Sequence, residues 1–512
     1  SRVTGRWAEW LRTLPVNALA GFSVALIAVP QSLAYAELAG MPPIVGLYAV
    51  TIPPIVAALF ASSPYLQTGP VAISGLLTYG ALSTMATPGS PQYVTLGLGL
   101  ALIIGLVRVV VGLLRGGWIA YLMSQPMLIG FVPAAAVLIA CSQLPKALGN
   151  KPPKMRNDIL GAFWSLTHPG TWHLGAIAIS VLTAAVMIGG RRIHTLFPGV
   201  LVAVVAGIAV SMTGWYHGPT ISEIPSGFPT LTVDRIPWST LPQLLLSGIL
   251  IAFIGFSEAS SLARQFASED RVRWSADREF ISQGAANIAA AFTGGMPCGG
   301  SFSRSTVNRV AGATSPVSQA ITGLVVLAFL PLAWVLEPLP LAVLGAIVVV
   351  AVSSLMKFGP LIAIWRVSIP QALISWITFF ATLVLAPRLD IAVLTGIGIS
   401  IAVFLWRMLQ LEIDVDFHDG TIVFTPRGVL WFGTAQRLDT LLVDALAAHP
   451  NATRLDIDLS GLGRIDTTGA VIIRSVLDHA RSTGLEAEVS GVRAQSAPLL
   501  ARVLDPAEPP LS

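Results

Sequence analysis

Long apolar runs separated by short polar breaks fill the chain as far as residue 411, where the pattern changes. Runs of membrane-spanning length lie at 16–38, 44–61, 94–114, 118–141, 174–188, 196–213, 241–262, 280–292, 317–336, 341–356, 371–386 and 391–411. A helix rising ~1.5 Å per residue needs about 20 apolar residues to cross a hydrocarbon core of ~30 Å, which these runs supply or approach. Two other stretches are too broken for an ordinary span. One is Thr68-Gly69-Pro70-Val71-Ala72, followed by a modest apolar segment to residue 85. The other is Pro297 to Arg309, read as Pro-Cys-Gly-Gly-Ser-Phe-Ser-Arg-Ser-Thr-Val-Asn-Arg. Gly299 and Gly300 end any helix arriving from the N-terminal side. Ser301, Phe302 and Ser303 offer capping chemistry for a new helix, which Gly312 and Pro316 soon stop. About ten residues at ~1.5 Å each span roughly half the bilayer core, so this stretch predicts a half-helix.

The two broken segments are third and tenth of about fourteen. Equivalent places in two halves of seven, roughly 15–213 and 240–411, point to inverted repeats around a site at the membrane midplane. A repeat with an odd number of spans inverts its second copy, so the two half-helices are predicted to face each other. The expected fold class is an α-helical membrane protein with 14 transmembrane segments as 7+7 inverted repeats, residues 1–411. A small α/β domain follows at 412–512. There the pattern predicts strands at 412–417 and 421–426 across a His418-Asp419-Gly420 turn. Further expected elements are a helix at 432–448, a strand at 454–459, a helix at 468–481, a strand at 486–490 and a helix at 494–503.

Composition supports the membrane assignment. Only 11% of the 512 residues are charged and 54% are hydrophobic, against about 25% charged in soluble domains. The formal net charge is +4, with Lys and Arg mostly between apolar runs, which argues against a nucleic-acid partner. If both termini are cytoplasmic, the inner loops carry Arg12, Arg115, Arg191, Arg192, Arg264, Arg271, Arg309, Lys357, Arg366 and Arg407, as the positive-inside rule requires. One loop placed outside, from Lys146 to Arg156, runs against the rule with four cations. Cys141 and Cys298 form no disulfide framework or CxxC motif. The basic, amphipathic start up to Arg12 has no cleavage-site pattern of a signal peptide. No HExxH, P-loop or dinucleotide fingerprint and no Ser-His-Asp set occurs, so an enzyme, a cofactor, a bound metal and ATP-driven transport are not expected.

The candidate chemistry centres on the broken segments. A half-helix starting in mid-membrane points its free N–H groups, worth roughly half a positive charge, into the protein. Val71 and Ala72 supply such groups at the first segment, where Pro70 suits a first helical turn. Phe302, Ser303 and Arg304 begin the second. An arginine at a helix centre costs about 2.5–3.5 kcal/mol on insertion scales, an expense that an anion site explains. A fixed ion pair with Glu258 or a bond to a carbonyl is the structural alternative for Arg304. Glu258 lies inside the eighth span, and an intramembrane acid is a functional candidate in its own right. Beside an anion, a carboxylate favours taking up H⁺ together with that anion. Gln31 and Tyr35 are four residues apart and share one helix face; helix–helix hydrogen bonding is their bland reading. Glu37, the rival acid, lies off that face.

These stretches, taken in order, resemble the sulfate-permease (SulP) family of anion transporters with a C-terminal STAS domain. The resemblance rests on Val29-Pro30-Gln31-Ser32-Leu33-Ala34-Tyr35-Ala36 with Met41-Pro42-Pro43-Ile44-Val45-Gly46-Leu47-Tyr48. It continues through Thr68-Gly69-Pro70-Val71-Ala72 and Gly299-Gly300-Ser301-Phe302-Ser303-Arg304-Ser305 to Asp458-Leu459-Ser460 and Asp466-Thr467-Thr468-Gly469. It covers essentially the whole chain. It implies a core domain moving against a gate domain, a homodimer in the inner (plasma) membrane, and sulfate, bicarbonate, chloride or dicarboxylate substrates. It implies that Gln31, Tyr35, Thr68, Val71, Ala72, Phe302, Ser303 and Arg304 serve the substrate site, and that Glu258 serves cation coupling. Asp466-Thr467-Thr468-Gly469 departs from the commoner Asp-Ser-Ser-Gly, and Asp466 or Thr467 reads better as a helix cap than as part of a phosphorylation site. The expected function is secondary active anion transport, proton-coupled and elevator-like. An uncoupled exchanger or channel would dispense with Glu258, and a membrane-anchored STAS receptor would bind without flux.

Overall fold

The computed structural model describes residues 2–504 except 122, 123, 156, 195, 196, 222, 223, 226, 409–411 and 431–435. Expected boundaries at 196, 411 and 432, and the cation at 156, lie outside the described residues. The chain divides into two compact units, 1–398 and 399–512.

The first half of the larger unit opens with α1 (Arg2–Leu38), α2 (Pro43–Tyr48), α3 (Ile52–Phe60), a two-residue strand β1 (Thr68–Gly69) and α4 (Ala72–Leu82). It continues through α5 (Pro91–Leu113), α6 (Gln125–Leu148), α7 (Asp158–Thr167), α8 (Leu174–Ile193) and α9 (Gly199–Met212). The second half holds α10 (Leu241–Glu269), α11 (Ala276–Phe292), β2 (Gly299–Gly300), α12 (Phe302–Val310) and α13 (Val317–Phe329). It ends with α14 (Leu341–Ser353), α15 (Phe358–Val367), α16 (Ile369–Leu385) and α17 (Leu389–Met408). Among the described residues nine spans, some made of two consecutive helices, are long and apolar enough to cross a membrane, and α4, α9 and α16 are shorter apolar helices. The more polar α11 and α12 complete the fourteen segments expected.

The packing repeats between the halves. α1 lies on α13 as α10 lies on α5; α3 lies on α13 as α11 lies on α5; α1 meets α12 as α10 meets α4; α6 meets α16 as α8 meets α14. In each case the partners exchange when the two halves are swapped. The contact of α5 with α11 is close because it is made by glycine. A Cβ on Gly105 would lie 2.8 Å from the Gly284 carbonyl oxygen, and one on Gly284 would lie 2.8 Å from that of Gly105. Small residues that let backbones touch are how helices gain packing energy where lipid supplies no hydrophobic drive.

Several sequence boundaries shift. The run expected at 118–141 becomes a short 3-10 helix at Gly116–Tyr121 and then α6, which starts with Pro126 in its first turn and stops at Gly149 in the left-handed region (φ 71°). Lys146 therefore belongs to the last turn of α6 rather than to a loop. Its Nζ pairs with Glu37 at 2.7 Å. α7 and α15 were not expected; both are ten-residue helices.

The smaller unit is a sheet of order β3-β4-β5-β7, with β6 also on β4. β3 (Glu412–His418) and β4 (Thr421–Leu430) form a hairpin across Asp419 and Gly420, both at positive φ (49° and 77°). β5 (Arg454–Asp458), β6 (Leu462–Ile465) and β7 (Glu486–Ser490) run parallel to their neighbours. β6 is an element the alternation did not disclose. Helices α18 (Gln436–Ala448), α19 (Thr467–Ser482) and α20 (Ala497–Leu504) complete the unit, whose core includes Ile422, Phe424, Leu455, Ile457, Ile473 and Val476. Asp466 is the N-cap of α19, its Oδ1 accepting from the Gly469 N–H at 2.7 Å, as the capping reading requires.

Candidate functional site

The two broken segments meet. β1 and β2 pair antiparallel, Thr68 opposite Gly300 and Gly69 opposite Gly299. The Ser301 N–H donates to the Gln67 carbonyl at 2.9 Å, and the Gln67 N–H donates to Ser305 Oγ at 2.9 Å. Gly300 makes the crossing possible. A Cβ there would lie 2.7 Å from Ala259 Cβ and 2.8 Å from Gln283 Nε2. Beyond the crossing the chain enters α4 at Ala72 and α12 at Phe302, so both helix starts flank one place. The first N–H groups of a helix have no partner within it. At α12 Ser301 is the cap, its Oγ accepting from the Arg304 N–H at 3.4 Å. With 9 residues, α12 rises about 14 Å, roughly half a bilayer core.

In front of these starts is a small pocket of about 40 Å³. It is lined by Tyr35, Val71, Ala72, Ile73, Glu258, Ser301, Phe302 and Ser303, and closed by Ala351, Val352, Ser354 and Leu355. A larger cavity of about 390 Å³ shares Ile73, Glu258, Phe302, Ser354 and Leu355 with it and reaches Arg264, Gln265 and Lys357. Lining from α4, α10 and α12 therefore faces lining from α6 and the end of α14.

Of the residues chosen from sequence, the structure brings Tyr35, Val71, Ala72, Phe302, Ser303 and Glu258 into this pocket. Gln31 stands next to it. Its Nε2 donates to Ser303 Oγ at 3.4 Å, and it lines a second cavity of about 40 Å³ with Arg191, Phe197 and Val307. Thr68 is not in the lining. It is held in the strand pair, its N–H donating to Gln319 Oε1 at 3.4 Å. Arg304 is also behind the lining, 1% exposed, with Nη2 donating to the Pro70 carbonyl at 2.7 Å. Of the two structural alternatives for Arg304, the carbonyl bond is formed. Among the described residues no ion pair joins it to Glu258, and Nε and Nη1 have no hydrogen-bond partner. Hydrogen bonds to charged groups contribute about 1.5–3 kcal/mol, so one carbonyl offsets only part of a buried guanidinium's cost.

Sequence reading passed over the residues that brace the crossing from behind. Asn287 grips Cys298 at both ends, Nδ2 donating to its carbonyl at 2.9 Å and Oδ1 accepting its N–H at 2.8 Å. Arg108, wholly buried in α5, donates to the Cys298 carbonyl at 2.9 Å and to that of Ala252 at 3.0 Å. The signal for Arg108 was available as a lone cation inside the apolar run 94–114.

Chemically the pocket offers helix-start N–H donors, the hydroxyls of Ser301, Ser303 and Ser354, a phenol and one carboxylate. Helix starts favour an anion, and a carboxylate next to a bound anion is a place to hold a proton.

The chain matches known proteins along most of its length. A family model described as the sulfate permease family matches residues 14–378, and one described as the STAS domain matches 412–503. "Sulfate transporter 4.1, chloroplastic" of Arabidopsis thaliana is 32% identical over 413 residues, 78% of this chain and 59% of that protein. The chain thus spans under two thirds of that relative's length. "Probable sulfate transporter MT1781" of Mycobacterium tuberculosis (strain CDC 1551 / Oshkosh) is 31% identical over 425 residues, 82% of this chain and 73% of that protein. Among solved structures, SLC26A9 superposes with a TM-score of 0.85 at 19% identity, covering 96% of this chain and 87% of its own. The transmembrane domain of the cyanobacterial bicarbonate transporter BicA superposes with a TM-score of 0.65 at 23% identity, covering 76% and 98%. At those identities the structures speak for the fold, a helical membrane unit with an α/β domain after it. The length and order of the matches place the chain in the sulfate permease family, with a STAS domain at its C-terminal end.

Proposed function

We propose that this chain is a secondary active carrier of a small inorganic anion, sulfate in the first instance, moved together with a proton. The observation that carries the reading is the single pocket in which the starts of α4 and α12, Ser303 and Glu258 converge. The names of the relatives as sulfate transporters support the choice of anion.

In this reading Val71, Ala72 and Ser303 bind the anion, and Tyr35 and Phe302 wall it. Gln31 sets the Ser303 hydroxyl. Thr68 holds the crossing, and Arg304 contributes positive field from behind. Glu258 carries the proton. Arg264 and Lys357 at the wider cavity draw anions inward. Movement of the α1–α5 and α10–α13 group against the remaining helices, elevator-like, would expose the pocket to each side in turn. The protein would act as a homodimer in the plasma membrane, both termini cytoplasmic. The test is binding to the purified full chain in detergent. Sulfate binding that weakens in Ser303→Ala and rises as pH falls supports the reading; no binding of sulfate, bicarbonate or chloride refutes it.

A further inference from the structure

In each half a buried side chain of the fourth segment holds the broken segment of the other half, and one of the two is charged. From α13, Gln319 reaches the backbone of Thr68 in the approach to α4; from α5, Arg108 reaches the backbone of Cys298 in the approach to α12. The fourth segment of each half thus holds the broken segment of the other. One half does it with an amide and the other with a full positive charge. Among the described residues no carboxylate pairs with Arg108. Its partners are the carbonyls of Ala252, Ile251 and Cys298 and the Oε1 of Gln283. Bonding to the Cys298 carbonyl needs a donor, and Gln would supply one. A bare cation, wholly buried, is more than the hydrogen bonding requires.

The charge is set close behind the pocket. A Cβ on Gly255 would lie 2.8 Å from Arg108 Nη2 and 3.3 Å from Ser74 Oγ, so this glycine makes room for the guanidinium beside α4. Glu258 is three residues further along the same face of α10, and Cys298 is three residues before the cap Ser301.

We propose that Arg108 is a positioning residue that also sets the charge selectivity of the anion site: its fork fixes the approach to α12, and its uncompensated charge raises the positive potential there, favouring divalent over monovalent anions. This rests on reading the pocket as an anion site. Coulomb energy scales with the charge of the ligand, so losing a fixed cation penalises a dianion by the square of the factor that it costs a monoanion.

The experiment measures sulfate and chloride affinity on the purified full chain for wild type, Arg108→Gln and Arg108→Lys. The expected result for Arg108→Gln is about tenfold weaker sulfate binding and about threefold weaker chloride binding, with the ratio of the two unchanged in Arg108→Lys. Equal weakening of both anions in Arg108→Gln marks a merely structural role and overturns the proposal. Should Arg108→Gln fail to fold, the neutral Arg108→Met takes its place: sulfate weakened about threefold more than chloride supports the proposal, and equal weakening overturns it. Absence of anion binding in wild type would instead refute the function itself.

Discussion

Arg304 Nη2 lies 2.7 Å from the carbonyl oxygen of Pro70, so a side chain at the start of one half-helix grips the residue that leads into the other. Replacing it by Gln removes both the clamp and the charge. A charged hydrogen bond of about 1.5–3 kcal/mol corresponds to roughly 10- to 100-fold in affinity, and sulfate binding to Arg304→Gln should weaken within that range. Arg304→Lys, which keeps the charge on a stem without the fork, should fall between the two. A titration of purified protein checks the order; equal affinity in all three would remove Arg304 from the site's electrostatics.

Gly300 has no room for a methyl group. Ala259 Cβ, Gln283 Nε2 and Leu66 Cδ1 would lie within 3.0 Å of it. Overpacking of a tight interior costs typically ~1–3 kcal/mol, so Gly300→Ala should lower the unfolding temperature in detergent and abolish anion binding. Gly189→Ala, where nothing lies within 4 Å of the added carbon, should leave both unchanged.

Glu37 and Lys146 join the ends of α1 and α6, with side chains 15% and 26% exposed. Ion pairs in contact with solvent contribute about 0.2–1 kcal/mol. Glu37→Gln should lower stability by that order, and the swapped pair Glu37→Lys with Lys146→Glu should restore most of it. Thermal unfolding of wild type, Glu37→Lys, Lys146→Glu and the swapped pair at low salt forms the cycle, and high salt should shrink the differences.

In the STAS unit, Asp466 caps α19 through its bond to the Gly469 N–H. Removing a cap costs ~0.5–2 kcal/mol, so Asp466→Ala should lower the unfolding midpoint of this unit and Asp466→Asn should keep most of it. A loss equal in both would show that the cap is not what Asp466 contributes.

The breaks at Gly299-Gly300 and at Thr68-Gly69-Pro70 were legible because Gly, Pro and Ser change the local backbone wherever they stand. The Ser301 cap followed from the same local chemistry. What joined those places was not legible. Gln67 meets Ser305, and Arg108 meets Cys298, across nearly two hundred residues or more, and helical spacing fixes the face a side chain takes but not its partner. Hence the place of Arg304, behind the lining on the Pro70 carbonyl, was not legible, and Gln31, expected in the lining, lines a neighbouring cavity and reaches the pocket through Ser303. β6 escaped notice because four residues, Leu462–Ile465, are too few to show alternation.

The most direct test is uptake of radiolabelled sulfate into proteoliposomes, with and without an inward proton gradient, for wild type and Glu258→Gln. The account predicts gradient-driven accumulation by wild type and, in Glu258→Gln, flux that no longer responds to the gradient. Sulfate flux indifferent to both the gradient and Glu258 would contradict it and leave an uncoupled pathway.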